Sequence, residues 1–182
     1  GYTWYTIDVL GFDEAFLGTL AQIGAGLALV AAWLLSDAIT RQPVARVLLW
    51  LVVIGAVVSL PGLALAFGWH QWTERVFGLG ARSIALVDAA AASPLAQISM
   101  IPMLTLIAIH APAGHRAIWF ALMASLMNLA LSAAELQTRY LNLLFAVDRG
   151  HYANLPSLYL AALAIGTLVP LAAILLLRRR LL

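Results

Sequence analysis

The sequence predicts an all-α integral membrane protein, with five transmembrane helices and the tail of a sixth in a single domain over residues 1–182. Three observations predict it. Of the 182 residues, 64% are hydrophobic and only 10% are charged, whereas a soluble domain carries roughly 25% charged and about 45–50% apolar residues. Mean hydropathy is +0.97. The apolar residues fall into five runs of the length a bilayer span needs, about 20 residues each, with no trace of the short alternating strands of a membrane barrel. This composition excludes a soluble globular domain and a disordered chain. It also excludes a nucleic-acid binder, because a net charge of +2 makes no basic patch despite a pI near 9.4. With no Cys there is no disulfide framework, thiol nucleophile, zinc thiolate site or Fe–S site.

The elements follow in order. Tyr2 to Leu10 is aromatic and apolar but too short to cross a bilayer, and it reads as the end of a span that begins upstream. The chain is therefore expected to be part of a longer protein, the alternative being a five-span protein with an interfacial N-terminal stub. The spans are expected at about Ala15–Leu35, Val44–Phe67, Ser83–Ile109, Ala117–Ala146 and Leu155–Leu177. Between them stand the Pro and Gly residues that end helices: Gln42-Pro43, Gly78-Leu79-Gly80, Ala111-Pro112-Ala113-Gly114 and Asn154-Leu155-Pro156. In the first span, Gly24 and Gly26 beside Ala25 and Ala28 permit close helix contact.

Arginine sets the orientation, because cytoplasmic loops collect basic residues and acids matter little. Arg41, Arg46, Arg116 and the Arg178–Arg180 run share one side, against Arg75, Arg82 and Arg149 on the other. The six-arginine side, with the C-terminus, is expected in the cytoplasm. Trp33, Trp50 and Trp119 then belong to that interface, and Trp69 and Trp72 to the opposite one. An Arg-rich, Lys-free, Ala/Leu-rich chain of this kind fits a bacterial inner membrane.

Polar residues divide the spans. Spans two and five contain no charge between their ends and read as peripheral, lipid-facing helices. Span three holds Asp88, Ser93, Gln97 and Ser99, and span four holds Ser125, Asn128, Ser132, Glu135, Gln137 and Arg139. Ionisable groups inside a bilayer are costly and mark pathways or pair with one another, so these two helices must face protein or water. Asp88 lies about 8 Å inside the outer end of its span, at about 1.5 Å per residue. Glu135 and Arg139 are four apart and share a helix face, so an intrahelical pair is one expectation. Arg139 bonding Asp88 across spans three and four, or an anionic ligand, is the other. For Asn128, an interhelical hydrogen bond stands beside ligand contact. Pro94 and Pro102 interrupt span three, as membrane helices allow near cavities or mobile joints. His70, His110, His115 and His151 are expected in loops, without the spacing of metal ligands. No nucleophile elbow, Gly-rich phosphate loop or carboxylate–His zinc motif is present, so no catalytic residue, metal or cofactor is assigned and no enzyme is expected.

Four stretches stand out: Leu10-Gly11-Phe12-Asp13-Glu14-Ala15-Phe16-Leu17-Gly18 leading into the first span, Ala85-Leu86-Val87-Asp88 and Met100-Ile101-Pro102-Met103 in the third, and Ala111-Pro112-Ala113-Gly114 followed by Ala121-Leu122-Met123-Ala124-Ser125-Leu126-Met127-Asn128 opening the fourth. Together they resemble the folate–biopterin transporter family of the major facilitator superfamily. The first looks like that family's junction between helices seven and eight, the next two are similar to its tenth helix, and the last looks like the entry to its eleventh. The segments are short, but they occur in order over nearly the whole chain. Val87 replaces a Gly common before the acid, Ala111 a Cys before Pro, and Arg116 a Glu after the turn. The resemblance implies helices eight to twelve of twelve, with nine and twelve peripheral and ten and eleven lining a central cavity. It also implies that Asp37, Arg41 and Arg46 are a degenerate copy of the superfamily's cytoplasmic acid–Arg gating motif.

The function this implies is secondary transport of a folate or pteridine by alternating access, two halves rocking about a midplane site. Asp88, Gln97, Ser125, Asn128, Glu135 and Arg139 are the candidate substrate-binding or coupling residues. Gln97, Asn128 and Ser125 suit the donors and acceptors of a pterin ring. Arg139 suits an anionic glutamate tail, and Asp88 suits the pterin amidine edge or a coupling proton. The expected partners are the bilayer, a folate- or pterin-like small molecule, and either an N-terminal half of the same protein or a larger membrane complex. The rival reading is a non-transporting accessory or assembly subunit, for instance of a pigment–protein complex, in which the buried charges are structural pairs.

Overall fold

The structure is a computed structural model; it describes the backbone of residues 1–181 and the side chains through Leu177. Eight helices follow one another: α1 Tyr2–Asp8, α2 Glu14–Thr40, α3 Val44–Val58, α4 Leu60–Ala66, α5 His70–Phe77, α6 Ala81–Ile109, α7 Arg116–Leu144 and α8 Leu155–Leu181. Five units are long and apolar enough to cross a membrane: α2, α3 with α4, α6, α7 and α8. At about 1.5 Å per residue the 29 residues of α6 run about 43 Å, enough to cross a core of about 30 Å with tilt. The side chains of Arg178–Arg180, which contribute to the expected orientation, lie outside the described residues.

Local chemistry explains the helix ends. Asp13 caps α2, its carboxylate accepting the Phe16 N–H at 2.7 Å, with Glu14 in the first turn where the helix dipole favours an acid. Gly78 ends α5 in the left-handed region at φ 70°, which a side chain disfavours. Beyond α7, Asp148 and His151 pair in an isolated antiparallel bridge around a tight turn.

Two departures from the expected spans matter. Span two is broken at Ser59, between α3 and α4. Pro61 supplies no N–H to the Val57 carbonyl, so the regular hydrogen bonding of the helix is interrupted there. The other departure is α5, eight residues placed where the sequence suggests only a connector; it carries His70, which is therefore helical rather than in a loop.

Helix α6 is the axis of the bundle. It packs along α2 on one side and against α3 and α4 on the other, and α8 lies against α3 and α4. Gly24 permits the α2–α6 approach: a Cβ there would collide with the Ser93 hydroxyl and lie 3.0 Å from the Ser93 Cβ. Gly26, two residues on, has open space around it. Of the expected small-residue contact, then, Gly24 makes it and Gly26 does not. The two buried clusters, Tyr5 with Ala66, Val147, Leu155 and Leu158, and Phe12 with Leu65 and Ala85, join α1, α4, the start of α6 and the α7–α8 connection. Away from that end, large apolar side chains such as Leu29, Trp33, Leu129 and Leu176 are exposed, as expected where lipid is the solvent.

Candidate functional site

Helix α7 differs from the other spans. None of its residues is buried, and it meets α6 and α8 sparsely. Its partly buried residues are Trp119, Met123, Met127, Leu141 and Asn142, with the Trp119 indole N–H donating to the Ile107 carbonyl of α6 at 2.9 Å. Ser125, Asn128, Ser132, Glu135 and Arg139 are spaced three, four, three and four apart. At 3.6 residues per turn they fall in one arc of roughly 80°, turned away from the Trp119, Met123 and Met127 face. The result is a polar stripe along the helix, with all five residues exposed. Gln137 lies off the stripe. The Ser125 hydroxyl donates to the Ala121 carbonyl at 3.0 Å, back along its own helix.

Neither expected partner of Arg139 is in place. Among the described residues, Arg139 pairs with neither Glu135 nor Asp88. The i,i+4 spacing allows the first contact, but both side chains are exposed and gain little from it. The second is excluded by geometry. Asp88 is directed towards α4 and α8, where its Oδ1 would lie 3.5 Å from a Cβ on Gly62. The Asp88 carboxylate thus lies beside the Gly62 backbone, next to the break. The Tyr159 hydroxyl closes on the same glycine, and the Tyr159 ring packs 5.5 Å from that of Tyr2. Gln97 is exposed on the face of α6 opposite Asp88, nine residues and two and a half turns away.

The six expected site residues thus divide into a stripe on α7, a lone Gln97 and a half-buried Asp88. Sequence reasoning missed Gly62, Tyr2 and Tyr159. Pro61-Gly62 inside an apolar run was the available signal, since it marks a break in the helix and a residue without a side chain that lets neighbours approach the backbone. A cleft of about 960 Å³ lies between α3, α6 and α8, mostly apolar, with Tyr2, Tyr159, Ser59, Ser99 and Thr167 on its walls.

At the arginine-rich rim Asp37 and Arg41 form an i,i+4 ion pair, both exposed. Arg46 stands apart from it, donating to the Gln42 side-chain oxygen at 3.3 Å. At the opposite end the α7–α8 turn is clamped to α1. The Tyr152 hydroxyl donates to Asp8 at 2.6 Å, the Arg149 Nε lies 3.4 Å from the same carboxylate, and the Arg149 guanidinium stacks over Trp4 at 4.3 Å. The Tyr152 hydrogen bond first, and Arg149 second, hold the Asp8 carboxyl below its usual value. Partial burial, with the Asp8 carboxylate beside it, holds the Tyr152 phenol above its usual value.

Five apolar spans, with the proline-bearing α6 as their axis and a polar stripe on one face of α7, define a polytopic helical membrane protein. The profile of the BT1 family matches residues 2–182, and the chain belongs to that family of the major facilitator superfamily. It is a family of transporters rather than enzymes. A curated relative, the folate-biopterin transporter of Synechocystis sp. (strain ATCC 27184 / PCC 6803 / Kazusa), is 29% identical over 129 residues, 71% of this chain. The match spans 25% of that relative's length. No solved structure matches the chain.

Proposed function

We propose that this chain forms part of a secondary transporter that moves a folate- or pteridine-type substrate by alternating access. The polar stripe of α7 lines its pathway. The stripe carries the proposal: a membrane helix does not present Asn, Glu and Arg to hydrocarbon, and no described element of the chain covers this face. The printed name of the cyanobacterial relative supports the substrate class. Asn128, Ser125 and Gln97 offer hydrogen bonds to a pterin ring, and Arg139 with Glu135 reads the charged tail at the outer third of α7. Asp88, remote from the stripe and half-buried beside the Gly62 backbone, serves as the coupling carboxylate rather than a ring contact. Asp37 and Arg41 form the gate at the arginine-rich rim, from which Arg46 stands apart, and that rim faces the cytoplasm of a bacterial inner membrane.

Uptake of labelled folate and biopterin tests this reading. Arg139→Gln and Asp88→Asn each lower uptake without lowering expression, and Asp88→Asn leaves thermal stability equal or higher because it removes a half-buried charge. Full uptake in both variants overturns the site. In an accessory subunit the same exposed stripe packs against another protein; purification in fixed stoichiometry with a larger complex, without uptake, selects that reading.

A further inference from the structure

A second groove, of about 570 Å³, lies between the C-terminal end of α2, the length of α3 and the middle of α6. This is within the roughly 300–1,000 Å³ of small-molecule sites. Its shaft is apolar, walled by Leu51, Ile54, Val58 and Ile98. Its mouth is polar and cationic, formed by Gln42 and Arg46 with the exposed Trp50 alongside. Three features set its chemistry. Arg46 has no carboxylate partner among the described residues, because Arg41 has taken Asp37. The first turn of α3, beside the mouth, has no side-chain cap, so unmet backbone donors add to the positive field there. From Arg46 to Val58 the groove follows twelve residues of α3, about 18 Å at the helical rise, close to the roughly 15 Å of one leaflet. An apolar channel as long as a leaflet is deep, with one cation at its interfacial end, complements a single molecule shape. We infer that the groove holds a glycerophospholipid with an anionic headgroup, its phosphate on Arg46 and Gln42 and an acyl chain along Leu51, Ile54 and Val58. Basic pockets between membrane helices take such headgroups. The site is separate from the stripe on α7 and does not depend on the transported substrate.

The test is native mass spectrometry of the purified protein after exchange into phosphatidylglycerol or phosphatidylcholine of identical acyl chains. Phosphatidylglycerol is retained about five-fold better, the effect of one interfacial arginine. Arg46→Gln abolishes the preference, and Gln42→Ala, across the mouth, weakens it should the arginine variant not be recovered. Arg116→Gln, at the same rim but outside the groove, preserves it. Ile54→Trp fills the shaft and lowers retention of both lipids, and excess inorganic phosphate displaces neither. The inference is overturned if the Arg46 and Gln42 variants retain the preference, if Arg116→Gln removes it equally, if Ile54→Trp leaves retention unchanged, or if inorganic phosphate displaces the lipid.

Discussion

Replacing Gly24 with Ala probes the closest helix contact in the bundle. The added methyl collides with the Ser93 hydroxyl and sits 3.0 Å from the Ser93 Cβ, with the Ala89 carbonyl at 3.7 Å. The hydroxyl can rotate away but the Ser93 Cβ cannot, so α2 and α6 must separate along their shared length. Overpacking of this kind costs about 1–3 kcal/mol. Against it stands the helical preference of Ala over Gly, about 0.8–1.0 kcal/mol. The net loss is up to about 2 kcal/mol. At about 2–4 °C per kcal/mol for a chain of this size, the melting midpoint falls by up to about 8 °C. Gly26→Ala is the control two residues away: nothing lies within 4 Å of its Cβ, so only the helical gain remains. Scanning fluorimetry in a mild detergent reads both. Combining Gly24→Ala with Ser93→Ala recovers part of the loss, because the worst contact is gone while the Cβ contact stays. A Gly24→Ala midpoint at or above that of the unmodified protein, or an equal fall for Gly26→Ala, refutes the packing.

Three further outcomes follow from the geometry. The Asp8 carboxyl is held below its usual value, so its stabilisation is fully present above that value and is lost as pH falls through the lowered one; Tyr152→Phe removes the main cause and flattens the acid limb of a melting-midpoint profile. Asp37→Asn breaks an exposed pair worth about 0.5 kcal/mol or less, so the midpoint stays within about 2 °C while uptake falls if the pair gates the pathway. Gly62→Ala drives a methyl into the Tyr159 hydroxyl and to 3.0 Å from its Cζ, so it lowers both the midpoint and uptake, and Tyr159→Phe in the same chain relieves the first.

How much the sequence reveals depends on the range of the interaction. Span positions are legible because bilayer thickness fixes the length of an apolar run, and Glu14–Thr40 and Ala81–Ile109 extend only a few residues past the expected limits. The polarity of α7 is legible too, since Asn128 and Arg139 in an apolar run must be accommodated somewhere. The break at Ser59 is not, because hydropathy averages over Pro61 and registers no lost hydrogen bond. Helix α5 is too short for a span and too polar to carry an apolar run. The direction of Asp88 escapes because α6 has neighbours on opposite faces, and the periodicity of one helix does not say which neighbour a given face meets. The Tyr152–Asp8 bond joins residues 144 apart, a closure that no local pattern encodes.

The central claim is that the α7 stripe faces water, and thiol accessibility tests it most directly. The chain has no Cys, so each introduced thiol is the sole target in this chain, and only the hydrated thiolate reacts quickly. Ser125→Cys, Asn128→Cys and Ser132→Cys are the stripe positions; Leu126→Cys and Ala133→Cys, roughly 120–140° around the helix from the centre of the stripe, are the controls. In intact membranes, a small membrane-impermeant methanethiosulfonate reagent labels the three stripe thiols, folate or biopterin protects them, and the two controls stay unlabelled. Equal labelling around the helix, or silence at all three stripe positions, contradicts the account.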